Sequence, residues 1–134
     1  MAGAIEKVVK SEDEWRQELR SDEFAVLRKK GTERAFAHPY HDTKEEGVFR
    51  CRGCGAELFS SDAKYDSRTG WPSFWQPIRV DRIVTGVEYE LGTRRTEVMC
   101  ARCGGHLGHV FDDGPAPTGL RYCLNGLALE LDPD

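Results

Sequence analysis

The spacing of apolar and polar positions divides the chain into two unequal parts. Over residues 11–30 the apolar positions recur at helical spacing. Trp15 and Leu19 stand four apart on one face, behind Ser11 and Glu14, the Ser-x-x-Glu signature of a capping box. Ser21 is placed to cap a second short helix carrying Phe24, Val26 and Leu27, with Arg28, Lys29 and Lys30 toward its negative end and Gly31 as the stop. Residues 32–47 contain the breakers His38-Pro39 and Glu46-Gly47 and predict an ordered loop, with His38 and His41 as loop residues lacking a partner group. From residue 48 onward short strand-like runs alternate with turn signals roughly every 8 to 12 residues. The runs are Val48-Phe49, Ile78–Val84, Val87–Leu91, Thr96–Met99 and Leu120–Leu131. No helix-period segment separates them, so parallel crossovers are disfavoured and antiparallel pairing is expected. The pattern predicts a mainly β fold with short N-terminal helices.

Composition narrows the function classes. The 134 residues fit one domain spanning 1–134, with residues 1–10 expected as a flexible N-terminal extension. Hydrophobic residues at 39% and charged residues at 31% describe a soluble globular chain rather than a disordered one. Lys and Arg number 19 against 23 Asp and Glu, a formal charge of −4 without a basic run. Nucleic acid is therefore not an expected partner, since basic side chains must replace phosphate counterions. No run approaches the roughly 20 apolar residues of a membrane span, and Met1–Lys7 has no apolar signal core, so a cytoplasmic location is expected. The five cysteines are too few and too odd in number for a disulfide scaffold, which points to metal or redox chemistry.

Four of the five form two matched hooks, Cys51-Arg52-Gly53-Cys54-Gly55 and Cys100-Ala101-Arg102-Cys103-Gly104. A Cys-x-x-Cys turn points both sulfurs into one concavity, and the following glycine can take the positive φ the turn demands. Two hooks supply four thiolates, enough to close a tetrahedral site around one structural Zn²⁺. The alternative, two thioredoxin-type redox pairs, calls for a strand-to-helix context that neither hook has. Both units continue as Cys-Gly-x-x-Leu through Leu58 and Leu107, which suggests one hairpin used twice.

The second copy departs from the first. An offset of 49 sets Glu57 against His106 and Ser60 against His109. On a regular strand residues three apart face opposite sides, so these histidines converge only if the backbone bends. Three readings stand open: satisfied, partly exposed histidines; a second metal site with Asp112 or Asp113; or acid–base and substrate-orienting work. Farther on, strand alternation puts Arg121, Cys123 and Asn125 on one face, with Tyr122 and Leu124 on the other. An isolated cysteine is often an inert core filler. Here a neighbouring arginine and histidines are expected to favour its nucleophilic thiolate. In Gly70-Trp71-Pro72-Ser73-Phe74-Trp75-Gln76-Pro77 three aromatics stand among prolines, excluding a central strand. Phe74 and Trp75 read as a core plug, and Trp71 as a wall for a substrate alkyl or methyl group.

With these residues in view, the chain resembles the B-type methionine sulfoxide reductases from about Glu18 onward. The resemblance is carried by Thr32–Phe36, Glu45–Cys51, Gly70–Phe74, the run from Gly104 through His106 and His109 to Pro115, and Leu120–Gly126. It implies a zinc-bearing, sandwich-like pair of antiparallel sheets. It also implies reduction of the R epimer of methionine sulfoxide, free or within proteins, to repair oxidative damage. Cys123 then attacks the sulfoxide sulfur and becomes a sulfenic acid, while His106, His109 and Asn125 orient and protonate the oxygen. Arg121 favours the thiolate, Trp71 and Phe111 hold the methyl group, and Cys51, Cys54, Cys100 and Cys103 hold the zinc. Many family members carry a second, resolving cysteine immediately before the Gly-Trp-Pro-Ser-Phe motif; here that position is Thr69. Recycling by an external thiol, thioredoxin or glutaredoxin with glutathione, is therefore expected, in a monomer.

Overall fold

The computed structural model describes residues 6–134. Two short helices, α1 (Glu12–Glu18) and α2 (Ser21–Lys29), precede nine strands. The strands are β1 (Gly47–Cys51), β2 (Glu57–Ser60), β3 (Lys64–Tyr65), β4 (Ser73–Phe74), β5 (Ile83–Glu90), β6 (Thr93–Cys100), β7 (His106–Phe111), β8 (Arg121–Leu124) and β9 (Leu129–Pro133). They form two antiparallel sheets, one ordered β2-β1-β9 and the other β3-β4-β8-β7-β6-β5. The mainly β, two-sheet expectation holds. The sheets meet through aromatic side chains: Phe74 stacks on Phe59 with centroids 4.7 Å apart and meets Phe49 edge-on at 5.1 Å. Phe74 is the core plug read from the sequence, while Trp75 is only half-buried, and Ser73–Phe74 form a two-residue strand between β3 and β8 where the flanking prolines predicted none.

Helix α1 begins as its capping box dictates: Ser11 Oγ accepts from Glu14 N–H and Glu14 Oε1 from Ser11 N–H. Helix α2 differs from expectation at both ends. Its N-cap is Arg20 rather than Ser21, because Glu23 Oε1 accepts the Arg20 N–H at 3.0 Å and draws Ser21 into the first turn. It ends at Lys30, in the left-handed region at φ 60°, one residue before Gly31. Residues 1–5 of the expected extension lie outside the described residues. Of the rest, Val8 N–H bonds to Arg102 O and Lys7 Nζ to Ala101 O.

Three strand boundaries also differ. The runs Ile78–Val84 and Val87–Leu91 resolve into one strand, β5, preceded by a single 3₁₀ turn at Val80–Arg82. Thr85-Gly86 does not break β5, because both residues pair with β6 across Val98 and Glu97. Leu120–Leu131 is cut in two by a turn at Gly126–Ala128, which delivers β8 to one sheet and β9 to the other.

The two hooks belong to one hairpin design used twice. In β1–β2 the pairs are Val48↔Ser60, Phe49↔Phe59 and Arg50↔Glu57; in β6–β7 they are Glu97↔His109, Val98↔Gly108 and Met99↔His106. Every pair shifts by 49, and each hairpin carries one bulged leucine, Leu58 or Leu107. The turns match as well: Gly55 and Gly104 take φ 80° and 77° after the second cysteine, each donating its N–H to the first cysteine's carbonyl at 2.8 Å.

Candidate active site

The repeated hairpin brings the hooks face to face. The sulfurs of Cys51, Cys54, Cys100 and Cys103 all lie within 4.8 Å of one another, with Cys51–Cys103 at 3.7 Å and Cys54–Cys100 at 3.6 Å. A tetrahedron of sulfurs about 2.3 Å from a central zinc has edges of about 3.8 Å, so the donor set and its dimensions suit such an ion. In the metal-free chain the four thiols compete for protons. Their mutual hydrogen bonds drive Cys103 down and Cys54 to about 7, while Cys51 and Cys100 go up. A bound dication is what allows all four to stay ionised. α2 packs over the cluster, where Arg28 Nη1 donates to Cys103 O at 2.9 Å and stacks over Trp15.

The fifth cysteine lies outside that cluster, in a row running across the larger sheet. Register sets Tyr65 opposite Ser73, Ser73 opposite Cys123, Cys123 opposite His109, and His109 opposite Glu97. Directly opposed residues share a face, so sheet pairing alone delivers cysteine, histidine and carboxylate to one side. Cys123 opens onto a cavity of about 290 Å³. Trp71, Phe111 and Leu124 contribute apolar surface to it, and His109, Asn125, Arg95 and Arg121 polar groups. Thr32, Thr69 and Gly108 complete the lining, with Thr69 Oγ1 4.0 Å from Cys123 Sγ.

The histidines converge, and the bulge explains how. Because Leu107 is the extra residue in β7, His106 and His109 oppose Met99 and Glu97, two residues of the same face of β6. Their rings meet edge-on with centroids 5.6 Å apart. Each is held by a carboxylate: His106 Nδ1 lies 2.7 Å from Glu97 Oε2, and His109 Nε2 2.5 Å from Glu88 Oε1. Lys30 Nζ bridges the two acids, 3.1 Å from Glu97 and 3.7 Å from Glu88. Arg95 Nη2 approaches His109 Nδ1 at 3.2 Å. A guanidinium only donates, so Nδ1 accepts and the His109 proton sits on Nε2, toward Glu88. His106 is buried, burial pushes its pKa down against the pull of Glu97, and its Nε2 has no hydrogen-bond partner among the described residues. It does not line the cavity.

The remaining candidates have identifiable tethers. Arg121 forms a two-pronged bridge to Asp113 at 2.8 and 3.1 Å and lies 4.4 Å over the Phe111 ring. Asn125 accepts Glu33 N–H at 2.9 Å and donates to Leu107 O at 3.1 Å, so most of its amide is engaged in holding backbone. Arg121 favours the Cys123 thiolate, as the sequence predicts, without depressing the pKa overall. Burial raises the Cys123 thiol, and the Arg121 charge only partly opposes it.

Thr32, Arg95, Glu88, Glu97 and Lys30 were not legible as site residues. On a hairpin with exposed positions, Glu88, Arg95 and Glu97 read as ordinary polar alternation. Extending the 49-residue overlay upstream does set Glu97 against Val48, a charge where the first copy has an apolar residue.

The SelR domain family matches residues 19–133. The peptide methionine sulfoxide reductase MsrB of Bradyrhizobium diazoefficiens is 54% identical over 128 residues, covering 96% of this chain and 92% of that protein. The protein of the same name from Hahella chejuensis is 52% identical over 127 residues, covering 95% and 91%. That of Pseudomonas aeruginosa strain UCBPP-PA14 is 50% identical over 129 residues, covering 96% and 98%. Together with the cysteine, histidine and tryptophan placements described above, these matches establish that the chain belongs to the B-type methionine sulfoxide reductases.

Proposed function

We propose that this chain reduces the R epimer of methionine sulfoxide, free or in proteins, to methionine through Cys123. The observation carrying this reading is the cavity over Cys123, whose lining combines the aromatic rings of Trp71 and Phe111 with the polar groups of His109, Arg95 and Arg121. A sulfoxide sulfur carries an oxygen, a methyl and a longer chain. A site that offers polar groups to the oxygen and aromatic carbon to the methyl at separate places accepts one epimer and leaves the other with its oxygen against aromatic carbon.

The Cys123 sulfur attacks the sulfoxide sulfur and the S–O bond transfers its oxygen. The thioether departs reduced by two electrons, and Cys123 is left oxidised by two as a sulfenic acid. The thiol proton ends on the transferred oxygen. His109 shuttles it through Nδ1 once Arg95 shifts to the substrate oxygen, and Asn125 and Arg121 help orient that oxygen. His106, behind the wall, positions His109 through their edge-on contact. A first external thiol then displaces water from the sulfenic acid to give a mixed disulfide, and a second restores Cys123. Thioredoxin, or glutaredoxin with glutathione, suits this role, because Thr69 offers no thiol and the other four cysteines suit a single structural zinc that holds the hooks together. The enzyme acts as a monomer in the cytoplasm, with neither nucleic acid nor membrane as a partner.

The test is reduction of the separated R and S epimers with dithiothreitol by wild-type protein and Cys123→Ser. Turnover of the R epimer alone, abolished by Cys123→Ser, is expected. Failure of zinc-replete wild-type protein to reduce either epimer refutes the reading.

A further inference from the structure

The motif Thr32-Glu33-Arg34-Ala35-Phe36 supplies no group to the chemistry proposed above, yet it passes directly beside the cavity, where Thr32 forms part of the wall. Glu33 places three of its polar groups on the two flanks of the site. Its carbonyl accepts the Trp71 indole N–H at 3.0 Å, and its N–H donates to Asn125 Oδ1 at 2.9 Å. Its carboxylate Oε1 accepts Leu127 N–H at 2.8 Å, on the turn immediately after the Cys123 strand. Three residues on, Phe36 N–H donates to Gly70 O at 2.8 Å. The approach is so close that a Cβ on Gly70 would stand 2.7 Å from Phe36 N.

Glu33 is 8% exposed, and its second carboxylate oxygen, Oε2, is buried with no hydrogen-bond partner among the described residues. A half-satisfied buried carboxylate costs stability. Its geometry therefore has to be useful elsewhere. We infer that Glu33 is a positioning residue for substrate binding, which ties the Trp71 wall of the methyl pocket to the Asn125–Leu127 segment that follows Cys123. This inference rests on the proposed role of Trp71 and Cys123. It predicts that loosening Glu33 weakens recognition of the sulfoxide methyl more than it slows sulfur attack.

The experiment compares Glu33→Ala and Glu33→Gln in zinc-replete enzyme with the R epimer. Losing the Leu127 tether should raise KM about tenfold in Glu33→Ala with kcat changed less than about threefold, whereas Gln, which keeps an acceptor oxygen, stays within about twofold of wild type. Added to Trp71→Phe, which has no indole N–H to fasten, Glu33→Ala should raise KM by less than about twofold more, since both changes break one linkage. A fall in kcat at unchanged KM, or full multiplication in the double variant, overturns the inference. If Glu33→Ala does not fold, Glu33→Asp, too short for Leu127, takes its place with the same expectations. Should the wild type reduce neither epimer, the proposed function fails and the tether is read without turnover. In fluorotryptophan-labelled protein the fluorine resonance lost in Trp71→Phe should move in Glu33→Ala and stay put in Glu33→Gln. An unmoved resonance in Glu33→Ala refutes the tether itself.

Discussion

Cys123 without substrate should behave as a reluctant nucleophile, and the shape of its alkylation profile measures this directly. An ordinary cysteine near pKa 8.5 is about 3% thiolate at pH 7, and the thiolate is the form that iodoacetamide attacks. Burial pushes Cys123 above that ordinary value, with Arg121 opposing. Its alkylation rate should therefore climb about tenfold per pH unit through pH 7 to 8.5 without levelling. Arg121→Met removes the opposing charge and should move the profile to still higher pH. The assay follows the Cys123 peptide by mass spectrometry in zinc-loaded protein, and the profile's shape separates ionisation from access. A plateau below pH 8 would refute the claim that burial outweighs Arg121. A protonated resting thiol fits the proposed chemistry, because the proton leaves with the sulfoxide oxygen and no free thiolate need accumulate.

Other outcomes follow from the same geometry. After one turnover without reductant, Cys123 should gain a single oxygen in the mass spectrum, and no internal disulfide should form, since Thr69, whose Oγ1 lies 4.0 Å from its sulfur, offers no thiol. The protein should hold one zinc per chain. Stripping it should abolish cooperative melting, because four-ligand zinc sites contribute roughly 10 kcal/mol or more to folding, and an unchanged melting temperature would count against a structural ion. Phe74→Ala, which empties the fully buried contact between Phe49 and Phe59, should cost about 3–5 kcal/mol in urea unfolding. His38 and His106 both have pKa values lowered by burial, so the unfolded chain takes up their protons first. Their contribution is intact above the unfolded value of 6.5 and is lost as pH falls below it, so the melting temperature should drop between pH 7 and 5.5, and by less in His38→Asn.

What could be read from the chain divides along the reach of each interaction. The α1 cap, the cysteine hooks and the face shared by Arg121 and Cys123 depend on residues a few positions apart, and alternation or spacing exposes them. The Lys30 bridge is different. It exists because α2 terminates one residue early at a left-handed lysine, and because β5, β6 and β7 align Glu88, Glu97 and the histidines; neither condition is local. The pKa of Cys123 shows the same division, since its charged neighbours are visible in the sequence and its burial is not.

The histidines mark the boundary between the two. Strict alternation places residues three apart on opposite faces, which argues against a shared role for His106 and His109. Internal repetition supplies the missing fact. The first hairpin bulges at Leu58, and the second carries the same bulge at Leu107 in the same register. Replacing Glu57 and Ser60 of the first copy by histidines in the second thus puts two imidazoles on one face without any new backbone feature. One hairpin design, used twice with different residues at two bulge-related positions, thus serves the cysteine clamp in both copies and seats the histidine pair in the second.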